Sequence, residues 1–98
     1  MQTKLEKEGG KLTVAVSGRV DTTTSPELEK TIFENIDGIT ALVLDLKEMS
    51  YISSAGLRVL LKSEKAMKAQ GEMTLINVNN DVMEILDMTG FSDILTIG

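Results

Sequence analysis

Hydrophobic and polar residues along the chain form short β-like runs that alternate with segments of helical spacing. Five runs are predicted as strands, at residues 2–7, 11–16, 41–46, 73–78 and 94–97. The run at 41–46 is almost wholly apolar, which is typical of a strand covered on both faces of its sheet. Gly9 and Gly10 separate the first two runs, so we expect those two strands to form a hairpin.

Three segments with apolar residues at helical spacing are predicted as helices, at about residues 25–35, 54–69 and 81–88. The first should begin at Ser25, because a serine cap followed by Pro26 and early acidic residues is a typical helix start. Gly71 and Gly90 are predicted to end the second and third helices. The longer connections, residues 17–24 and 47–53, are predicted as loops.

The resulting element order, β-β-α-β-α-β-α-β, predicts a single α/β domain over residues 1–98. Its sheet should be mixed but mostly parallel, with the helices packed on it. Residues 21–25 and 49–56 follow the carboxyl ends of two predicted strands, where the loops of α/β sheets meet. We therefore expect these two hydroxyl-rich loops to lie side by side.

The composition narrows the chemistry that such loops can perform. The 98 residues include no histidine and no cysteine, so the common acid–base and nucleophilic catalytic groups cannot be assembled. The net charge of −5 disfavours nucleic acid, and no apolar run approaches the roughly 20 residues that span a bilayer. We predict a cytoplasmic protein without enzymatic activity, metal or cofactor, with no membrane insertion, and monomeric when free.

Ser54 stands where the second predicted helix begins. Free backbone N–H groups and the positive end of the helix dipole favour a phosphate at that position. Arg58, one turn later, is close enough to meet such a phosphate, and Gly56 lacks a side chain that would obstruct a kinase. A plainer interpretation is also open, in which Ser54 is only the helix cap and threonines 22–24 only cap their own loop.

The segments Leu42–Leu46 and Tyr51–Leu57 resemble the STAS family, and within it the bacterial anti-sigma factor antagonists. The family pattern is an apolar strand ending in Leu-Asp-Leu, then Asp-Ser-x-Gly-Leu at the start of a helix. The residues that match this pattern are Asp45, Ser54, Gly56 and Leu57. Residues Ser17–Asp21 are similar to a second family loop, Gly-x-Leu-Asp, with Gly18 and Asp21 in register.

The resemblance implies a cycle of partner switching. Relatives of this kind bind an anti-sigma factor that is also a serine/threonine kinase, and binding releases the sigma factor. The kinase then phosphorylates the serine matched by Ser54, the complex separates, and a metal-dependent serine phosphatase restores the antagonist. Ser53 stands where the family often has aspartate, which makes it the alternative phosphorylation site.

The residues predicted to contact the partner are Asp21, Thr22, Thr23, Ser53, Ser54, Gly56 and Arg58. The sequence leaves a second function open, that of a STAS subunit in a lipid-transport or sensory assembly. Such a subunit would act as a protein-interaction module without phosphorylation. The two functions differ in whether binding of the partner depends on the state of Ser54.

Overall fold

The computed structural model describes residues 1–98 as a mixed five-stranded sheet with three α-helices packed on it. Its elements in chain order are β1 (Gln2–Glu8), β2 (Lys11–Val20), α1 (Ser25–Phe33), β3 (Ala41–Asp45), β4 (Met49–Ile52), α2 (Ser54–Lys68), β5 (Glu72–Ile76) and α3 (Asn80–Thr89). A 3₁₀ turn, Phe91–Asp93, follows α3. The predicted α/β class, with a largely parallel sheet and an initial hairpin, is confirmed. None of the helices combines the length and the apolar character needed to cross a membrane.

The strands lie in the order β1-β2-β3-β5, with β4 beside β2. The hairpin of β1 and β2 is antiparallel, and the other pairings are parallel. β2 is 10 residues long, and on the edge away from β1 it pairs with two strands one after the other. Residues 11–15 pair with β3, and Gly18–Val20 then pair with β4. The register shifts between Gly18 and Arg19, and Gly18 has a φ of +84°, which glycine adopts without strain.

The pairing of β2 with β4 includes residues from both of the longer predicted loops, so the prediction of a loop is wrong for these residues. Residues 17–20 belong to β2, and residues 49–52 form β4. Met49 and Ile52 are the buried residues of β4, and they are three positions apart rather than two. The strand therefore leaves no alternating pattern in the sequence, and its pairing with β2 comes from the tertiary fold.

The hydrophobic core lies between the helices and one face of the sheet. Burial alternates along β3, with Leu42 and Leu44 buried and Val43 only half-buried. The prediction that this strand is covered on both faces is therefore wrong, because the helices cover one face only. The core residues that the helices supply include Leu28, Ile32, Leu57, Leu60, Met67, Val82 and Leu86.

The helices begin and end close to the predicted positions. Thr24 rather than Ser25 is the N-cap of α1, since Ser25 is already its first helical residue, and Pro26 lies in the first turn as predicted. α1 ends at Phe33, two residues before the predicted end. Gly90 closes α3 in the left-handed conformation, with φ of +80°, as predicted.

Gly71 does not end α2 in the predicted way. The helix ends at Lys68 with Ala69 as its C-cap, and Gly71 does not have a positive φ. A Cβ atom on Gly71 would lie 1.9 Å from the carbonyl oxygen of Thr40. Glycine is required here by the close approach of two backbones, which the Glu72 N–H joins by donating to the Thr40 oxygen at 3.0 Å.

The prediction of a last strand at residues 94–97 is wrong. The chain forms the 3₁₀ turn and then a single parallel bridge between Ile97 and Leu75. The Leu75 N–H donates to the Thr96 oxygen at 2.9 Å, and the Gly98 N–H donates to the Leu75 oxygen at 2.8 Å. On the edge of β5 away from β3, these two hydrogen bonds therefore pair the backbone of Leu75 only.

Replacement of Gly71 by alanine should lower the free energy of unfolding by about 2–3 kcal/mol, because a backbone must move to admit the Cβ atom. Gly10→Ala is the matched control, since its Cβ atom would meet the Oγ1 of the same Thr40 at 2.8 Å, and a side chain can rotate away. Urea unfolding of both variants measures the difference. Equal losses of stability would contradict the backbone contact at Gly71.

Candidate functional site

The parallel pairing of β2 with β4 brings the two hydroxyl-rich loops together. Val20 pairs with Ile52, and the Ser53 N–H donates to the carbonyl oxygen of Val20 at 2.8 Å. The chain leaves β2 into residues 21–24, and it leaves β4 directly into α2. The two segments therefore lie side by side, as expected, but the prediction that residues 49–56 form a loop is wrong, because they form β4, the Ser53 cap and the first residues of α2.

Ser53, and not Ser54, caps α2. Ser53 has an extended backbone (φ −88°, ψ 173°), and its Oγ accepts a 3.2 Å hydrogen bond from the Gly56 N–H. Its carbonyl oxygen accepts from the Leu57 N–H at 2.9 Å. The two adjacent serines thus have different roles, since Ser53 holds the helix start and Ser54 is the first helical residue. The plainer interpretation of Ser54 as the cap is wrong.

Ser54 is exposed, and its hydroxyl has no hydrogen bond within the chain. The first position of an α-helix has a backbone N–H free of helical bonding and lies at the positive end of the helix dipole. Both features would stabilise a phosphate on Ser54 Oγ. Arg58, Lys62 and Lys65 are exposed along the same helix. Lys62 pairs with Glu29 on α1 at 3.3 Å, whereas Arg58 has no salt bridge within the chain.

Gly56 is buried, and core side chains occupy the space that a side chain at this position would need. A Cβ atom on Gly56 would lie 2.7 Å from Ile52 Cγ1 and 2.9 Å from Val20 Cγ1. The glycine therefore lets the first turn of α2 pack against the ends of β2 and β4. The expectation that it clears room for a kinase is wrong in this respect, because the missing side chain would point inward. Gly56 supports the site by positioning Ser54.

Asp21 organises the neighbouring loop through one carboxylate oxygen. Its Oδ1 accepts from the N–H groups of Thr23 and Thr24, each at 3.0 Å. Its carbonyl oxygen accepts from the Ser25 N–H at 2.8 Å, at the start of α1. The hydrogen bond from the Thr24 N–H is the main cause that lowers the pKa of the Asp21 carboxyl group; desolvation opposes it, and the Thr23 N–H and the Arg19 charge add to it. A fixed negative charge therefore stands beside the start of α2.

Thr22 and Thr23 extend from this turn with exposed side chains. Thr24 uses its hydroxyl locally, since its Oγ1 accepts from the Asp21 N–H at 2.9 Å and donates to the Arg19 carbonyl oxygen at 3.0 Å. The interpretation of the threonines as local caps thus fits Thr24 alone. The side chains of Thr22 and Thr23 are exposed to solvent beside the start of α2 and are free for a partner.

Arg19 and Tyr51 form a surface feature that sequence reasoning missed. They pair across β2 and β4, and the guanidinium carbon lies 4.4 Å from the centre of the tyrosine ring. Finding this pair requires the register of β4, which the hydrophobic pattern does not reveal. The pair adds an aromatic ring and an arginine, both enriched at protein interfaces, just before Asp21 and Ser54 in the chain.

Asp45, the strand aspartate of the family pattern, contributes to folding. Its Oδ1 accepts from the Lys47 N–H and from the side-chain amide of Asn77, both at 3.1 Å. Asn77 has a positive φ of 55°, in the turn after β5. These bonds connect the turn after β3 to the turn after β5. Asp45 thereby supports the segment that leads into β4.

The exposed Ser54 lies outside three surface depressions of the protein. Depressions of about 330, 370 and 260 Å³ lie on β1–β3 and beside the end of α2, and none of them is lined by Ser54. The chain has no group of three or more metal-ligating side chains that could hold a metal ion. An exposed hydroxyl outside these depressions is accessible to another protein.

The fold and the site define a small α/β domain that presents an unbonded serine hydroxyl at a helix start. The chain belongs to the STAS domain family, whose model matches residues 2–98. It is 34% identical over 100 residues to the anti-sigma F factor antagonist of Paenibacillus polymyxa, which covers 99% of this chain and 86% of that protein. The resemblance read from the strand and serine motifs is confirmed.

Solved structures agree with this family assignment. The crystal structure of an anti-sigma factor antagonist from Mycobacterium paratuberculosis superposes with a TM-score of 0.89 at 26% identity, covering 98% of this chain and 83% of that one. The phosphorylated form of the Bacillus cell fate determinant SpoIIAA shares the fold, with a TM-score of 0.76 at 16% identity over 99% of this chain and 91% of that one.

The division of roles between the two serines predicts unequal effects on stability. Ser53→Ala removes the N-cap hydrogen bond and should lower the free energy of unfolding by about 1 kcal/mol. Ser54→Ala removes an exposed, unbonded hydroxyl and should change it by less than about 0.5 kcal/mol. Urea unfolding monitored by circular dichroism measures both. A larger loss for Ser54→Ala would contradict the capping assignment.

The lowered pKa of Asp21 predicts a pH-dependent contribution to stability. The folded carboxyl group has a pKa below its ordinary value of 3.8, so its stabilising effect is complete above that value and is lost as the pH falls through the folded pKa. The difference in unfolding free energy between the parent protein and Asp21→Asn should therefore shrink as the pH is lowered through and below 3.8. A difference that stays constant from neutral to acidic pH would contradict the hydrogen bonding of Asp21.

Proposed function

We propose that this protein is an anti-sigma factor antagonist that is switched off by phosphorylation of Ser54. The observation that carries the proposal is the arrangement of the two serines, in which Ser53 caps α2 and leaves the Ser54 hydroxyl exposed and unbonded. The names of its relatives, which are anti-sigma factor antagonists, support the same function. The protein acts in the cytoplasm as a regulatory binding protein and is itself the substrate of two enzymes.

Its binding partner is an anti-sigma factor that is also a serine/threonine kinase. The contact surface consists of the start of α2 and the ordered loop beside it. Its members are Asp21, Thr22, Thr23, Ser53, Ser54 and Arg58, with Gly56 beneath them. Binding of the unmodified antagonist occupies the anti-sigma factor and releases the sigma factor.

The phosphoryl transfer needs no catalytic group from this chain. Ser54 Oγ attacks the γ-phosphorus of ATP held by the kinase, and the bond from that phosphorus to the bridging oxygen of ADP breaks. The kinase takes up the hydroxyl proton, so the products are phosphoserine and ADP. A metal-dependent serine phosphatase later transfers the phosphoryl group to water and restores the hydroxyl. These roles fit a chain without histidine and cysteine.

The phosphate changes affinity through charge. It adds about −1.5 to −2 charge at neutral pH to an interface that fitted a neutral hydroxyl. Within the free protein, the start of α2 stabilises that charge. In the complex, the phosphate must lose water beside the fixed carboxylate of Asp21. A penalty of about 3 kcal/mol would weaken binding by more than a hundredfold.

Replacement of Ser54 by alanine should abolish transfer of labelled phosphate from ATP by the cognate anti-sigma factor kinase. Binding to that kinase should persist, because the substitution removes only an exposed hydroxyl. Ser53→Ala is the matched control, and it should still be phosphorylated. The measurement is phosphorimaging of the labelled protein, with binding followed by calorimetry.

Labelling that persists in Ser54→Ala and disappears in Ser53→Ala would show that Ser53 accepts the phosphate, and it would overturn the proposal. Stable association with a transporter or sensor subunit, unaffected by either substitution and without any labelling, would instead favour the alternative function of a STAS interaction module.

A further inference from the structure

The charge of this protein is concentrated at one end of the chain. All ten lysine and arginine residues precede residue 69, where they are balanced by an equal number of acidic residues. Residues 69–98 contain no basic residue, and their acidic residues are Glu72, Asp81, Glu84, Asp87 and Asp93. The whole net charge of −5 therefore belongs to β5, α3 and the turn that follows.

The most exposed large apolar side chain lies in the same region. Met88 is 80% exposed and Ile94 is 48% exposed. On α3, Asp81, Glu84 and Met88 follow one another at helical spacing on one side, with Asp87 beside them. The opposite side of α3 is anchored, since its residues Val82 and Leu86 are fully buried in the core. The outer side of this helix is thus apolar at its end and acidic along its length.

The acidic residues limit what can cover this surface. They repel anionic lipid headgroups and nucleic-acid phosphates, which have the same sign of charge. They attract lysine and arginine, and a flexible methionine adapts to apolar side chains of different shapes. The complementary occupant is a protein segment that presents apolar residues flanked by basic ones.

We propose that α3 and the following turn form a docking surface for a basic amphipathic segment of a partner protein. Apolar side chains of the partner cover Met88 and Ile94, and its lysine or arginine residues pair with the exposed carboxylates of the same segment, Asp81, Glu84, Asp87 and Asp93. We call these residues the α3 surface.

The α3 surface is separate from the serine site but shares its framework. α3 begins at the Asn79 cap, whose side-chain amide donates to the carbonyl oxygen of Met49 at 2.7 Å. Met49 is the first residue of β4, the strand that leads to Ser54. The surface itself contains no residue of the serine site.

The probe for this surface is a short amidated peptide of leucine and lysine at helical spacing, titrated into the isotopically labelled full chain and followed by two-dimensional NMR. Amide shifts should concentrate in residues 81–94. Met88→Ser should weaken the peptide affinity by about tenfold, because the main apolar contact is lost. Leu5→Ser is the matched control, since Leu5 is 46% exposed on β1 beside lysines, and it should leave the affinity unchanged.

Three results would overturn the proposal. The first is an affinity that Met88→Ser does not change, or a peptide with serine in place of leucine that binds equally well, since charge alone would then explain binding. The second is a set of shifts centred on another part of the chain. The third is self-association of the free protein in sedimentation, abolished by Met88→Ser, which would assign the surface to the exposed basic side of α2 in a second copy.

Discussion

The serine site depends on the parallel pairing between the second half of β2 and β4. This pairing is short; it begins at Gly18, after β2 has left β3 at Ala15, and a register shift between Gly18 and Arg19 interrupts it. Because it ends at Val20 and Ile52, the loop fixed by Asp21 and the start of α2 leave the sheet at the same point. Gly56 then allows the helix to pack directly on both strand ends. The exposed side chains of the site therefore extend from two segments, residues 21–24 and the start of α2, that this pairing places next to each other.

The adjacent serines give one helix start a structural group, Ser53, and an unbonded hydroxyl, Ser54, which we propose as the regulatory group. Serine and aspartate are both favoured N-caps, so Ser53 takes the structural role that an aspartate at this position of the family pattern would have. The substitution keeps a hydrogen-bond acceptor for the Gly56 N–H and removes a negative charge from the immediate neighbourhood of Ser54. The charge beside a phosphate then comes mainly from Asp21, which the Thr24 and Thr23 amides fix in place.

The sequence was sufficient for those elements whose residues repeat at a regular spacing. β2, β3 and β5, the three helices and the hairpin left patterns of apolar residues or glycines that could be recognised. β4 left no recognisable pattern, because its buried residues, Met49 and Ile52, are three positions apart instead of two, with the register shift between them. The same gap hid the pair of Arg19 and Tyr51. Gly71 showed that a glycine after a helix can be required by a neighbouring backbone rather than by the helix end. The family motif located Ser54, but only the hydrogen bond from Gly56 separated it from the capping serine.

We propose that Ser54 is the serine that accepts the phosphate, because Ser53 is engaged as the cap of α2. Tandem mass spectrometry of the unmodified sequence, after incubation with ATP and its anti-sigma factor kinase, tests this claim directly, since fragment ions between residues 53 and 54 locate the added mass. We expect the added mass on Ser54. Phosphate on Ser53, or on Thr22 or Thr23 in the neighbouring loop, would contradict it.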